Sequence, residues 1–221
     1  MGGRGSSFLT PSSGKWSGSI GPDVSNTLKS AIGSKGAPKA ISDAVVETNP
    51  YHSYDYREYS QNCQRCVVAY ELRRRGYDVT ALPTYQGDRL PQVAHYDSKN
   101  GIYQGRWQGA FQNAKSVNVG AAGDSTRAEK KVMGSIDQHM KDWGSGARAV
   151  VQIFYRGGGG HVFNVENQNG RTVYVEAQTG KVKDMARTMQ SVKTDSVNLI
   201  RTDNLKISER AKNFVRQSNK R

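Results

Sequence analysis

Cysteine is scarce in this chain: there are two, Cys63 and Cys66, three positions apart. A pair that close is not a disulfide framework. A zinc site would need about four ligands, and the four histidines (His52, His95, His139 and His161) form no H-x-x-x-H pair. No metal and no other cofactor is therefore expected. Long apolar runs are missing too, so no membrane-spanning helix is expected. The chain does not open on a basic-then-apolar segment, so a Sec-type signal peptide is not expected either. Acidic residues are few, 19 against 32 Lys and Arg, which leaves a net charge of +13. That excess permits an acidic partner, either nucleic acid, an anionic surface or an acidic protein. No finger, helix-turn-helix or stacking-platform signature accompanies it. The expected nucleic-acid contact is therefore nonspecific, through the basic ends of the chain.

What the sequence does contain divides it into three. Hydrophobic residues are 35% of the 221, below the usual level of about 45–50%, and the deficit lies near the start. Residues 1–48 read as a flexible basic arm rich in Gly and Ser, too poor in apolar surface to offset its ordering entropy, with a short helix over 37–48. Residues 49–207 read as one domain. Residues 208–221 read as the end of a short helix over 207–217, then a basic tail.

Ser60 to Val79 organises the domain. Asn62 suits the N-cap, where its side chain would accept from an amide of the first turn, and Cys63 would then be the first helical residue. Val67, Val68, Ala69, Tyr70 and Leu72 make a broad apolar surface, so the helix should be buried. Arg73, Arg74 and Arg75 close it, where cations suit the dipole, and they read as a solvated helix end. Gly76 suits the left-handed residue that stops it. Tyr77 to Ala81 alternates as a strand does.

Further on, 82–101 is loop-like, and Trp107 and Phe111 should be buried. Ala128, Val132, Ile136 and Met140 recur every four residues, marking a helix over 125–140. Three strands follow, at 150–155, 161–166 and 172–178, with Asn169-Gly170 as a strong hairpin signal, and a fourth at 197–201. The three read as an antiparallel meander. Tyr174, Glu176 and Gln178 share one face by the period of two. Across a short hairpin the latter two fall beside His161.

A cysteine opening a buried helix is placed to be a thiolate, because the dipole and free amides favour the anion. With a histidine opening one strand and an acid on the next, the parts of a thiol nucleophile, its base and the group that orients the base are present. Singly, each has an ordinary reading: small core cysteines, a hairpin histidine, a solvated glutamate. The hairpin places two of the three together, and that favours chemistry. The four glycines before His161 would leave room for a substrate backbone.

The motifs N-C-Q-R-C-V-V-A-Y-E-L-R-R-R-G-Y-D-V and G-H-V-F-N-V-E-N-Q-N-G-R-T-V-Y-V-E-A-Q-T-G resemble the papain-fold toxin family of bacterial polymorphic toxins and phage proteins. Members are described as glutamine deamidases or cysteine peptidases. The resemblance covers about residues 49–203. It implies an α+β, papain-like fold, a central helix packed on an antiparallel sheet. It implies a cysteine-dependent hydrolase acting on protein amides, most readily a glutamine deamidase toxin, with Cys63, His161 and Glu176 catalytic. The family usually has Asp where Glu176 stands. Gln178 matches the family's glutamine, and with Asn62 is expected as a substrate or oxyanion contact. Papain itself has a C-x-x-C whose second cysteine is the nucleophile, which favours Cys66. Helix-terminus chemistry favours Cys63, and the choice stays open with Cys63 preferred. The expected partner is a protein substrate. Met1 to Ser7 resembles the starts of some phage head-associated proteins, which would make phage head or capsid proteins partners of a non-enzymatic alternative.

Overall fold

The structure is a computed structural model, described here for residues 26–54, 56–84 and 106–218. The first part of the expected arm, residues 1–25, lies outside the described residues, as do most of the expected loop at 82–101, His95, and residues 219–221.

The arm expected over 1–48 does not extend that far. Helix α1 (Asn26–Ile32) buries Leu28 and Ile32, and α2 (Ile41–Glu47) buries Ala44 and Val45, all in the main core. Composition under-read this stretch because a few well-spaced apolar side chains are enough to dock a two-turn helix on an existing core. A single turn, α3 (Arg57–Ser60), leads into α4 (Cys63–Arg74). Ten of the twelve residues of α4 are buried, polar ones included. Its helical start at Cys63 and its stop before Gly76 match the sequence reading. Gly76 sits at φ +100°, and a Cβ there would come within 2.2 Å of the Gly36 carbonyl oxygen. Gly76→Ala should therefore cost more than the ~1 kcal/mol of an ordinary glycine effect, read as a lowered midpoint in chemical denaturation.

The strand expected at 77–81 is β1 (Val79–Ala81). It pairs antiparallel with the last strand, β8 (Val215–Gln217). The helix expected over 207–217 is absent: a short 3-10 turn at Glu209–Asn213 gives way to β8. Phe214 and Val215 are buried in the main core and the backbone finds its partners on β1, so tertiary pairing overrides the local helical pattern. The segment at 208–218 is thus part of the domain.

The main sheet has six antiparallel strands in the order β2-β7-β3-β4-β5-β6. They are β2 (Val117–Asn118), β3 (Arg148–Phe154), β4 (Gly160–Gln168), β5 (Arg171–Glu176), β6 (Lys181–Val182) and β7 (Asn198–Arg201). The meander β3-β4-β5 is the one expected. Asn169 and Gly170 both have positive φ, as a two-residue type I′ turn needs, and Gln168 pairs with Arg171 across it. α5 (Thr126–Asp142), capped by the Ser125 hydroxyl accepting from Ala128 N, buries Ala128, Val132, Ile136 and Met140. A five-residue helix, α6 (Met185–Met189), adds Met185 and Met189.

Two apolar cores lie against the sheet. Val150, Val162, Val175, Ala177 and Ile200 pack with α4, Trp107 and Phe111. Ala149, Val151, Ile153, Phe163, Val165 and Leu199 pack with α5 and α6. Alternate residues of each strand thus point into opposite cores, as the period of two requires. Among the described residues no helix is long and apolar enough to cross a membrane.

The arginine run is not a solvated end. Arg73 is 2% exposed and donates to Asp78, the Val79 carbonyl and Ser218, and meets Glu47. Arg74 grips Glu166 with two nitrogens at 2.6 and 2.9 Å. Arg75 donates to Glu71 at 2.7 Å and to the Leu205 and Thr202 carbonyls. Part of the positive charge is therefore spent inside the fold.

Candidate active site

Three elements meet at the N-terminus of α4. Cys63 opens that helix and is half-buried. His161 is the second residue of β4 and Glu176 the last of β5. The register explains the meeting: Asn164 faces Val175 and Asn167 faces Thr172 across the hairpin, so the C-terminal end of β5 lies beside the start of β4. His161 Nε2 lies 2.6 Å from Glu176 Oε2. The Cys63 sulfur lies near enough to the same imidazole for its charge to act on the ring. With Nε2 taken by the carboxylate, Nδ1 is the ring nitrogen left to act on a substrate or the sulfur.

The electrostatics follow from this chain of contacts. Burial alone would depress the His161 pKa. The hydrogen bonds to Cys63 and Glu176, with the charge on each, outweigh it and raise the value to about 9. His161 is therefore an imidazolium at neutral pH. Its raised pKa stabilises the fold fully below pH ~6.5 and ceases to do so as pH rises through about 9. Burial would raise the Glu176 pKa, but the bond from His161 and the charges of His161 and Lys183 pull it below the usual carboxylate range.

Cys66 is in a different environment. It is 1% exposed, and its thiol donates to Asn62 Oδ1 at 3.3 Å. Burial first, then the charges of Cys63 and Glu176, push its pKa well up, so it stays a thiol.

Asn62 and Gln178 do not stand open to a substrate. The Asn62 side chain makes no cap bond. Instead its Nδ2 donates to Asn49 Oδ1 and the Leu82 carbonyl, both at 3.1 Å. Its Oδ1 accepts from Asn49 Nδ2 at 3.3 Å and Gln178 Nε2 at 3.5 Å. Asn49 Nδ2 also reaches the carbonyls of Tyr59 and Gln178. All three amides are buried. The expected cap is overridden because a buried amide must satisfy every polar atom, and this cluster does so by tying the start of α4 to the end of β5.

Two residues at the site were not singled out from the sequence. Lys183 Nζ lies 2.6 Å from Glu176 Oε2. Extending the hairpin reading one strand further, through Thr179-Gly180 to β6, would have found it, since Lys183 N bonds the Tyr174 carbonyl. Tyr155, at the turn after β3, has its pKa raised by burial and then by the charges of Glu176 and Cys63. Beside it, a Cβ at Gly157, Gly158 or Gly159 would meet nothing within 4 Å. The space beside His161 is thus open, while the positive φ of Gly158 and Gly159 is what the turn itself requires. Among the described residues no group of three or more His, Cys, Asp or Glu could hold a metal.

Residues 61–181, more than half of the chain, match the family described as papain fold toxin 1, glutamine deamidase. The chain belongs to this family. Its α+β architecture, with α4 on an antiparallel sheet, is papain-like. Neither a curated protein nor a solved structure matches the chain. The matched segment contains Cys63, His161 and Glu176 and ends before Lys183.

Proposed function

We propose that this papain-fold protein is a cysteine hydrolase that converts protein glutamine side chains to glutamate and ammonia. The observation that carries the reading is the meeting of Cys63, His161 and Glu176 at the start of α4, with His161 Nε2 2.6 Å from Glu176 Oε2 and Cys63 close enough to act on the imidazole. Because His161 is doubly protonated at neutral pH, it has a proton to give a leaving nitrogen and a positive charge beside the nucleophile.

The steps follow from those roles. The Cys63 thiolate attacks the carboxamide carbon, and the developing oxyanion is met by amides at the helix N-terminus. The Asn62 side chain does not claim those amides. The imidazolium gives its Nδ1 proton to the departing nitrogen, and ammonia leaves a thioester. Neutral His161 then takes a proton from water, whose oxygen attacks the thioester carbon, and the glutamate carboxylate departs as Cys63 is released. Glu176 holds the ring orientation and stabilises its positive charge throughout.

The test is native alkylation of the full chain by iodoacetamide, mapped by peptide, on wild type and His161→Ala. Cys63 should label fast in wild type and at least tenfold slower without the imidazole. Equal rates would make the protein a papain-fold scaffold without thiol chemistry. With a glutamine-bearing protein as substrate, a mass gain of one unit supports deamidation, whereas fragments would show a peptidase.

A further inference from the structure

Glutamate carries three rotatable bonds, so one hydrogen bond to His161 leaves its carboxylate free to swing, at an entropic cost each time it is brought back. A second contact removes that freedom. Lys183 Nζ sits 2.6 Å from the same Oε2 that His161 meets at 2.6 Å. The lysine side chain is itself 14% exposed and lies over the Phe163 ring at 4.9 Å, which fixes its approach. Among the described residues no donor reaches the other oxygen, Oε1, which is buried. The position of the carboxylate therefore depends on two cations sharing one oxygen.

We propose that Lys183 shares the Glu176 carboxylate with His161 and, by taking part of its charge, limits how strongly the imidazolium is held. The proposal rests on reading His161 and Glu176 as base and orienter. Its second half is a matter of charge. Glu176 balances two cations, so neither has the whole anion to itself. Without Lys183 the anion would serve His161 alone, and the ring would keep its proton to higher pH.

The other charged and titratable groups around this cluster come from several elements. α4 brings Cys63, with Cys66 and Arg65 deeper. The turn after β3 brings Tyr155. From α5, Asp137 is taken by the Tyr174 hydroxyl at 3.0 Å. Asp184, next in the chain, caps α6 by accepting from Arg187 N at 3.0 Å. No carboxylate other than Glu176 is seen to bond Lys183 among the described residues.

The experiment follows the His161 ring by NMR against pH in the full chain, assigned by its loss in His161→Ala. In Lys183→Met, which keeps most of the side-chain length and drops the charge, the His161 midpoint should rise by about one pH unit. In Lys183→Arg it should stay within a few tenths. A Met variant with an unchanged or lowered midpoint overturns the proposal, as does an Arg variant that shifts as far as Met. Should Lys183→Met fail to fold by circular dichroism, Lys183→Gln must give the same rise, since it can donate a hydrogen bond but carries no charge. The enzymatic reading fails separately: Cys63 alkylation indifferent to His161→Ala would sink it while leaving the lysine-dependent midpoint intact.

Discussion

Cys63→Ser should abolish ammonia release from an unfolded glutamine-rich protein, a loss on the order of 10⁴-fold or more, whereas Cys66→Ser should change it by less than about tenfold. The two thiols are one helical turn apart and chemically opposed. Cys63 is half-buried, opens α4 and lies beside an imidazole that is charged at neutral pH. Cys66 is 1% exposed, and burial holds its thiol protonated. Only a thiolate is an effective nucleophile, so position along the helix decides the role. A serine at 63 keeps the geometry but offers a hydroxyl, a far weaker nucleophile than a thiol in the same place. A serine at 66 can still donate to Asn62 Oδ1, now at 3.3 Å from the thiol sulfur, so the amide cluster survives. Native alkylation gives the same answer without a substrate: Cys66→Ser should label at the wild-type rate and Cys63→Ser hardly at all. If Cys66→Ser is the inactive variant, the nucleophile is the deeper cysteine and the mechanism above is wrong.

Much of this site was legible because it is built from short-range rules. Helix punctuation placed Cys63 at the first helical position, and the Asn169-Gly170 turn fixed the β4–β5 register that sets Glu176 beside His161. Where the reading failed, long-range partners had overruled a local preference. Asn62 is built like a cap, yet its amide is claimed by Asn49, Leu82 and Gln178, the last of them 116 residues away. The helical pattern over 207–217 yields to pairing with β1, more than 130 residues earlier. Leu28 and Ile32 rescue a stretch whose composition looks disordered. The arginine run shows the same limit from the side of charge. A sequence shows three adjacent cations but not the buried carboxylates, Glu71 and Glu166, that two of them neutralise. The family match spans residues 61–181, so α1 and α2 before it and β8 after it are packing outside the matched segment.

Away from the chemistry, Glu71 is the side chain whose loss should hurt stability most. It has no solvent exposure and accepts from Arg75 Nε at 2.7 Å and from Arg148 Nε and Nη2 at 2.8 and 2.9 Å. Thr202 Oγ1 lies 3.4 Å away. Burial pushes its pKa up, but the charges and hydrogen bonds of Arg148 and Arg75 outweigh that and pull it down to about 2. Arg148 is 2% exposed, so it has little water to turn to. Glu71→Gln keeps the volume and strips the anion, leaving buried guanidinium uncompensated, which costs about 3–5 kcal/mol in comparable sites. For a chain of this size that is a fall in melting temperature of roughly 10 °C. Glu47, with its side chain 42% exposed, should lose under about 1 kcal/mol on the same change, since its own charge is largely screened and Arg73 keeps Asp78 and the Val79 carbonyl. The sign with pH is fixed by the depressed carboxyl: its contribution is complete above the ordinary glutamate value and drains away as pH falls toward about 2. Denaturant midpoints between pH 2 and 7 check both statements together. Wild type should lose stability steeply below pH ~4.5, and Glu71→Gln should start lower and slope less. A Glu71→Gln midpoint within error of wild type at pH 7 would mean that the buried arginines find other partners, and that the ion cluster does not hold α4 to the sheet.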